Sequence, residues 1–437
     1  MTSEAAITAT DLPAEISTTS PSSSTRAGIR AALTIPVIVA ALGYFVDMYD
    51  LVLFGVVRKD SLNAIGITSA ADVLHHGMFL MNMQMIGMLL GGICWGIMGD
   101  KIGRLKMLFG SILIYSTANL LNAWVGNVEQ YAILRFIAGF GLAGELGVGI
   151  TLVVESLPTH LRGYGTMFVA GIGVAGAASS YLVYELVGWS NSFIVGGLMG
   201  FSLLFMLFFS HESKVFSETA GARSTRGRFF SLFTDRSRFT RYLTCIAIGV
   251  PIWFVVGMLV MLAEEIATAV GVVGPISNGK AVMWCFIGLI FGDFASCLVS
   301  QLLGSRKRAL WVFWTLTTLS CCTYFLLDGA SATMFYVVTV LLGFSTGYWA
   351  LFITVASEQF GTNLRATVTT SVPNMVRGSL VPMTLFFVAL KSGLFGFGGI
   401  PIVPAAMVVG VICLGLSALA IYHVDETFSK DLKFNEK

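Results

Sequence analysis

Charge is what this chain lacks. Only 11% of its 437 residues are Asp, Glu, Lys or Arg, against roughly 25% in an ordinary soluble protein. A soluble fold of this length could not keep its surface wet with so little. Histidine (5) and proline (10) are scarce as well. All 7 cysteines lie inside apolar runs without metal-ligand spacing, which argues against a disulfide framework, a metal centre or a bound cofactor. No nucleophile–base set stands out, and the net charge of +2 is unremarkable. A soluble enzyme, a nucleic-acid binder and a secreted scaffold are all disfavoured. What the chain has instead is apolar: 56% of residues are hydrophobic, mean hydropathy is +0.82 and 48 residues are glycine. Runs of about 20 apolar residues are long enough to cross a bilayer as helices. The sequence therefore reads as an all-α membrane protein.

Residues 1–28, rich in Ser, Thr and Ala, carry no apolar run and read as a disordered tail. Apolar spans follow at 32–57, 77–98, 107–126, 128–157, 164–187 and 192–210. A basic polar segment covers 211–240, and further spans occupy 241–263, 281–304, 309–327, 333–357, 368–393 and 403–423. The layout predicts twelve transmembrane helices in two six-helix halves, 29–210 and 241–424, with a linker between them and a tail over 425–437. Glycine is dense in the spans, where small residues let backbones approach closely in lipid. Gly87, Gly91, Gly92 and Gly96, and Gly139, Gly141, Gly144, Gly147 and Gly149, are expected to be contact faces.

Lys and Arg set the orientation. With the N-terminus inside, only Arg58, Lys59, Lys280 and Lys391 fall in outer segments, and Arg135 and Arg377 sit within spans. All other Lys and Arg fall on the inner side, so both termini are expected in the cytoplasm.

Two short loops repeat. The turn after the second span reads Gly99-Asp100-Lys101-Ile102-Gly103-Arg104-Leu105-Lys106, and six spans later Asp293 and Ser305-Arg306-Lys307-Arg308 form a looser echo. Glu155 to Arg162 (ESLPTHLR) is matched by Glu358 to Arg365 (EQFGTNLR), an acid preceding an arginine by seven residues in both. Paired loops of this kind fit two pseudo-symmetric bundles related by an axis along the membrane normal.

The GDKIGRLK turn resembles the G-x-x-x-D/G-R-R/K loop signature of the major facilitator superfamily, and the resemblance covers about 30–425. It implies alternating access, two bundles rocking around a central cavity. It further implies that Asp100 caps a neighbouring helix and Arg104 pairs with Glu155, with Gly99, Gly103, Lys106, Arg162, Asp293, Arg306, Glu358 and Arg365 completing the gating loops. Asp47-Met48-Tyr49-Asp50 resembles the helix-one element of the metabolite:proton symporter branch, and also a sugar-porter element. Arg135 to Glu145 resembles that branch's R-x-x-x-G-x-x-x-G-G-E helix-four motif, with Ala143 where glycine is usual. Asp47, Asp50, Arg135 and Glu145 would then be the proton-coupling set.

Read without the resemblance, these residues already demand partners. A charged side chain at a helix centre costs at least about 2.5–3.5 kcal/mol on insertion scales. Asp47 and Asp50 are three apart and share a helix side. Arg135 and Asp50 lie at equal depth, which predicts that they pair. Arg377, in Pro373-Asn374-Met375-Val376-Arg377, has no acid at its depth in the second half, so it needs either a substrate carboxylate or an acid from across the cavity. Asn374, Tyr49, Gln84, Trp253 and Arg135 are the other pocket candidates. Glu264, Glu265 and Lys280 read as a solvated rim.

The expectation is a monomeric, proton-coupled uptake transporter of the inner membrane that carries a small carboxylate metabolite. Alternatives are a zwitterion symporter (betaine, proline or another amino acid), a sugar carrier and a drug-type efflux pump.

Overall fold

In a computed structural model the protein is described over residues 35–102, 104–145, 162–207, 229–394 and 398–428. The expected N-terminal tail and residues 429–437 lie outside this set, as do Gly103, Gly147, Gly149, Glu155, the surroundings of Gly99 and the side chains of Asp100, Arg104 and Arg162. Among the described residues the architecture is helical throughout, with one isolated bridge between Val273 and Ser331. The helices are α1 (Ile35–Ala64), α2 (Ala70–Ile102), α3 (Arg104–Asn122), α4 (Val128–Leu142), α5 (Arg162–Leu207), α6 (Arg236–Phe254) and α7 (Ala263–Val270). They continue as α8 (Asn278–Leu303), α9 (Arg306–Phe325), α10 (Ala332–Thr346), α11 (Trp349–Glu358), α12 (Thr362–Gly378), α13 (Leu380–Ser392) and α14 (Ile402–His423). Eight helical stretches among the described residues are long and apolar enough to cross a membrane. This is a multi-pass membrane protein.

Polar caps punctuate the apolar chain. The side chains of Asn127, Asp235, Ser277, Ser305 and Ser331 each accept from the backbone N–H three residues on, satisfying donors that a helix start leaves free. At Gly188 the backbone turns to φ +79°, ψ 175°, and splits α5 into two arms, as the two spans 164–187 and 192–210 predict. Only glycine adopts such a φ without strain.

Three other predicted spans are broken in mid-course. Residues 241–263 pass from α6, which contains Pro251, through a π turn at Val255–Val260 and reach α7 only after Leu262. Residues 333–357 break at Gly347 and Tyr348, and 368–393 break at Ser379. Pro382 has no N–H to offer the carbonyl four residues back, which is that of Gly378 beside the second break.

Glycines interlock the helices, and they do so twice in the same way. A Cβ on Gly87 would meet the Phe136 carbonyl, one on Gly91 the Phe140 carbonyl, and one on Gly139 the Gln84 carbonyl, so α2 and α4 lie backbone against backbone. In the second half Gly288 meets Val340, Gly292 meets Phe344 and Gly343 meets Cys285, joining α8 to α10. The spacing of the contact positions on each helix matches (84, 87, 91 with 285, 288, 292; 136, 139, 140 with 340, 343, 344), which is the internal repeat expressed as packing. Gly141 and Gly144 face α3, and Gly92 faces Asn374. Gly96 departs from expectation: nothing described lies within 4 Å of its Cβ position.

Overpacking a close helix contact costs about 1–3 kcal/mol. Gly139→Val and Gly343→Val are therefore expected to lower the thermal unfolding midpoint in detergent, whereas Gly415→Ala, which meets nothing within 4 Å, leaves it unchanged or slightly higher. Equal effects at all three positions would sink the interlock.

Candidate functional site

The intramembrane charges all face protein. Asp47, Asp50, Arg135 and Arg377 are at most 1% exposed and Glu145 is 4% exposed. Of the two alternatives for Arg377, the acid from across the cavity is the one present, whereas Arg135 departs from the expectation. Arg377 on α12 reaches across to α1, where its Nη2 lies 3.5 Å from Asp47 Oδ2. Its guanidinium lies over the Trp349 ring, 5.7 Å from the centroid, and touches Met48 Sδ at 3.7 Å. The acid at its depth thus comes from the other half of the chain. Both Asp47 oxygens, and Nε and Nη1 of Arg377, make no hydrogen bond among the described residues, so the pair retains spare donors.

Arg135 does not pair with Asp50. It donates to Gln84 Oε1, and its guanidinium lies over Phe54 at 5.1 Å and near Phe193 at 5.8 Å. Gln84 in turn donates to the Leu51 carbonyl at 3.3 Å. Equal depth brought Arg135 close enough to act on Asp50 but not into contact, because Gln84 and the two rings claim the guanidinium. Both Asp50 oxygens are unpartnered among the described residues. Glu145 packs against Gly43, and Tyr115 lies beside it.

The pocket candidates separate in the same way. Arg377 and Trp253 line a void of about 20 Å³ together with Tyr44, Met48, Phe286 and Trp349. That is room for about one water. Tyr49 points away, its hydroxyl donating to the Ser192 carbonyl at 2.9 Å. Asn374 donates to the Ala143 carbonyl at 3.0 Å, tying α12 to the end of α4. Val256 in the π turn and Trp349, the first residue after the Gly347–Tyr348 break, line this void, and irregular helix beside a buried site is where polar backbone becomes available to a ligand.

At the end of the molecule bearing Arg306, the second-half loop residues are assembled. Asp293 Oδ1 accepts from the Ala350 N–H at 3.1 Å, capping α11 from α8. Arg306 pairs with Glu358 at 3.4 Å, and Thr427 donates to the same carboxylate at 2.7 Å. Arg365 donates to the Ser357 and Phe360 carbonyls. Burial alone would raise Glu426, but hydrogen bonds from Ser305 and from the N–H groups of Arg306, Phe428 and Lys307 hold it below the usual carboxylate range. Lys106, from the first-half loop, is exposed.

At the opposite end the supposed rim is a set of ties between the halves. Arg58, 1% exposed, pairs with Glu265, Lys59 pairs with Glu264, and Thr384 donates to Asn82 Oδ1 at 2.6 Å. Arg58 falls eleven residues after Asp47, about three helical turns, so it shares that residue's face. That spacing is the signal that reading Arg58 as an outer-loop charge passed over.

Charges held between the helices of a multi-pass membrane bundle, around a void bordered by broken helices, define a carrier rather than a pore or an anchor. Residues 40–380 match the Major Facilitator Superfamily; the chain belongs to that family and is a transporter of it. It is similar to a metabolite transport protein of Haemophilus influenzae (29% identical over 380 residues, covering 80% of this chain and 88% of that one). A 164-residue stretch is 32% identical to the niacin transporter NiaP of Acinetobacter baylyi, covering 37% of this chain and 36% of that one. The fold is similar to that of the xylose transporter XylE from E. coli in its inward-open conformation, with a TM-score of 0.69 at 15% identity over 91% of this chain and 97% of that one.

Removing one partner of a buried ion pair costs about 3–5 kcal/mol, much of it the penalty of the stranded charge. Arg377→Gln is therefore expected to lower the unfolding midpoint, and Asp47→Asn added to it should restore most of the loss. Additive losses in the double variant would show that the two side chains do not interact.

Proposed function

We propose that this transporter takes up a small carboxylate metabolite together with protons, by alternating access. The observation that carries the reading is the Arg377–Asp47 pair, which bridges α12 and α1 beside the aromatic void and leaves two guanidinium nitrogens unused. In the empty carrier Asp47 holds Arg377. Protonation removes the carboxylate's charge and frees the guanidinium, and a substrate carboxylate then takes its place with a charge-assisted fork. Proton and anion thus favour each other's binding, which is the coupling a symporter needs. Asp50 and Arg135 supply a second acid and a fixed positive charge, with Glu145 nearby. Niacin, named for one relative, is a flat aromatic carboxylate, a shape suited to Tyr44, Trp253 and Trp349.

The topology that serves this is twelve crossings in two six-helix bundles, 29–210 and 241–424, joined by 211–240. Dividing α5 at Gly188 and adding α3, α4 and α9 to the eight long stretches gives that number. Lys and Arg asymmetry supports both termini in the cytoplasm, and the reading takes the carrier as a monomer in an inner membrane. The Arg58 end then faces outward. The Arg58–Glu265 and Lys59–Glu264 pairs and the Thr384–Asn82 hydrogen bond join the two halves at this end, so the conformation is shut toward the outside. Opening has to break the ties of Arg58 with Glu265, Lys59 with Glu264 and Asn82 with Thr384. The second-half loop contacts, with Asp100, Arg104, Glu155 and Arg162 as their first-half counterparts, would brace the cytoplasmic ends of the helices within each half. A second reading, a zwitterion carrier, is favoured by the same pair, since Asp47 would hold an ammonium while Arg377 holds the carboxylate.

Uptake of nicotinate or benzoate into proteoliposomes under an imposed inward proton gradient tests the reading. Wild type is expected to accelerate with the gradient. Asp50→Asn should lose the acceleration, by at least about tenfold, while retaining exchange of substrate for substrate. A double variant, Asp47→Asn with Asp50→Asn, that still follows the gradient would refute the coupling.

A further inference from the structure

A cavity of about 570 Å³ lies away from the central void, and the carrier cycle above does not use it. It sits at the end bearing Arg306, where the Val424 carbonyl in its wall accepts from Lys307 Nζ at 3.0 Å. Its size falls among ligand clefts, which run from about 300 to 1,000 Å³. One wall is the start of α6, where Arg236, Ser237, Thr240, Arg241 and Thr244 share a helix face. That polar face runs about 12 Å along a helix that is apolar from Cys245 onward. The other wall is the end of α14, with His423 and then Asp425. Ser417 donates to the Ile248 carbonyl at 3.3 Å, which joins α14 to α6 on the membrane side of the cavity.

The frame is built rather than left over. Gln359, 2% exposed, donates to the Asp425 carbonyl at 2.8 Å, and its own carbonyl accepts from Arg241 Nη1 at 2.9 Å. Arg241 is steadied further by the Phe360 ring, 5.1 Å away. Two guanidiniums and the Ser237 hydroxyl face one acid, Asp425, among the lining residues. Arg236 is exposed, and its side chain has no ion pair among the described residues. Paired guanidiniums suit an oxyanion of the phosphate kind, which they grip with charge-assisted forks. Thr240 and Thr244 spend their hydroxyl hydrogens on the carbonyls of Arg236 and Thr240, at 2.9 Å each. Their oxygens remain as acceptors for a hydroxyl of the same ligand.

The surroundings decide which phosphate. One turn toward the membrane from Thr240 and His423, on the same helix faces, are Leu243 and Leu419, 47% and 62% exposed. Leu416, 50% exposed, continues the α14 face. A soluble anion gains nothing from these leucines, whereas acyl chains bury against them. Basic pockets between helices on the cytoplasmic side are where anionic headgroups dock.

We infer that this cavity seats the headgroup of an anionic phospholipid, its phosphate on Arg236 and Arg241 and its chains along Leu243 and Leu419. A headgroup held there ties the start of α6 to the end of α14. It does so beside Glu358 and Glu426, which hold Arg306 and the start of α9. The lipid thus braces the second-half loop cluster.

The inference needs neither proton coupling nor a carboxylate substrate, and it is tested on the delipidated full chain in neutral detergent. Dioctanoyl phosphatidylglycerol is titrated while the thermal unfolding midpoint is followed, since a ligand of the folded state raises it. A saturable rise is expected with this lipid. None is expected with dioctanoylglycerol, which lacks the phosphate, or with glycerol phosphate, which lacks the chains. Arg236→Gln and Arg241→Gln should move the titration to at least about tenfold higher lipid. Arg308→Gln, at the same end but outside the cavity, should leave it in place. Arg241→Gln also loses the tie to Gln359; if it does not fold, Arg236→Gln serves alone. Glycerol phosphate acting as strongly as the lipid would overturn the lipid in favour of a soluble phosphate compound. No rise, an equal rise with dioctanoylglycerol, or an unmoved titration in folded Arg236→Gln would overturn the site.

Discussion

The cost of placing charge in a low-dielectric interior governs this molecule. Five ionisable side chains lie within otherwise apolar helices, and none can be left facing lipid without a penalty of several kcal/mol. The bundle answers with unequal solutions. Arg377 finds Asp47 across the interface, Arg135 finds Gln84 and two aromatic faces, and Asp50 is left with no direct partner among the described residues. A static scaffold would gain by replacing such groups with packed apolar side chains. Their incomplete satisfaction is what makes them available for exchange between internal and external partners, which is the chemistry of a carrier.

The same economy shapes the helices. Three of the predicted spans do not run as single helices. The split at Gly188 only separates two crossings, whereas the break at Gly347–Tyr348 leads into Trp349, which lines the central void beside Arg377. The π turn after Pro251 leads into Glu264 and Glu265, which hold Arg58 and Lys59. Rigid stretches meanwhile are locked by glycine against backbone carbonyl, once between α2 and α4 and again between α8 and α10. Stiff paired helices carrying broken neighbours form a framework on which small local rearrangements become the opening of one face and the closing of the other.

Much of the fold was legible because lipid imposes a simple code: apolar length gives the crossings, and basic residues mark the loops. The Gly188 division and the glycine faces follow directly from residue type. The partners of the charges were not legible in the same way. Depth along a span placed Asp50 level with Arg135, yet Gln84, from a third helix, took the guanidinium. Glu264 and Glu265 read as a rim because a span end resembles any solvated surface, and only the approach of α1 revealed them as ties.

The sequence by itself determined that this is a helical, multi-pass membrane protein of the major facilitator type with a short list of charges that must face inward, because composition, run length and loop motifs are local properties. Only the tertiary structure decided which helix supplies each charge's counterpart, since pairing depends on rotation and approach of helices far apart in the chain. The contact between Arg377 and Asp47, 330 residues apart, is the clearest instance.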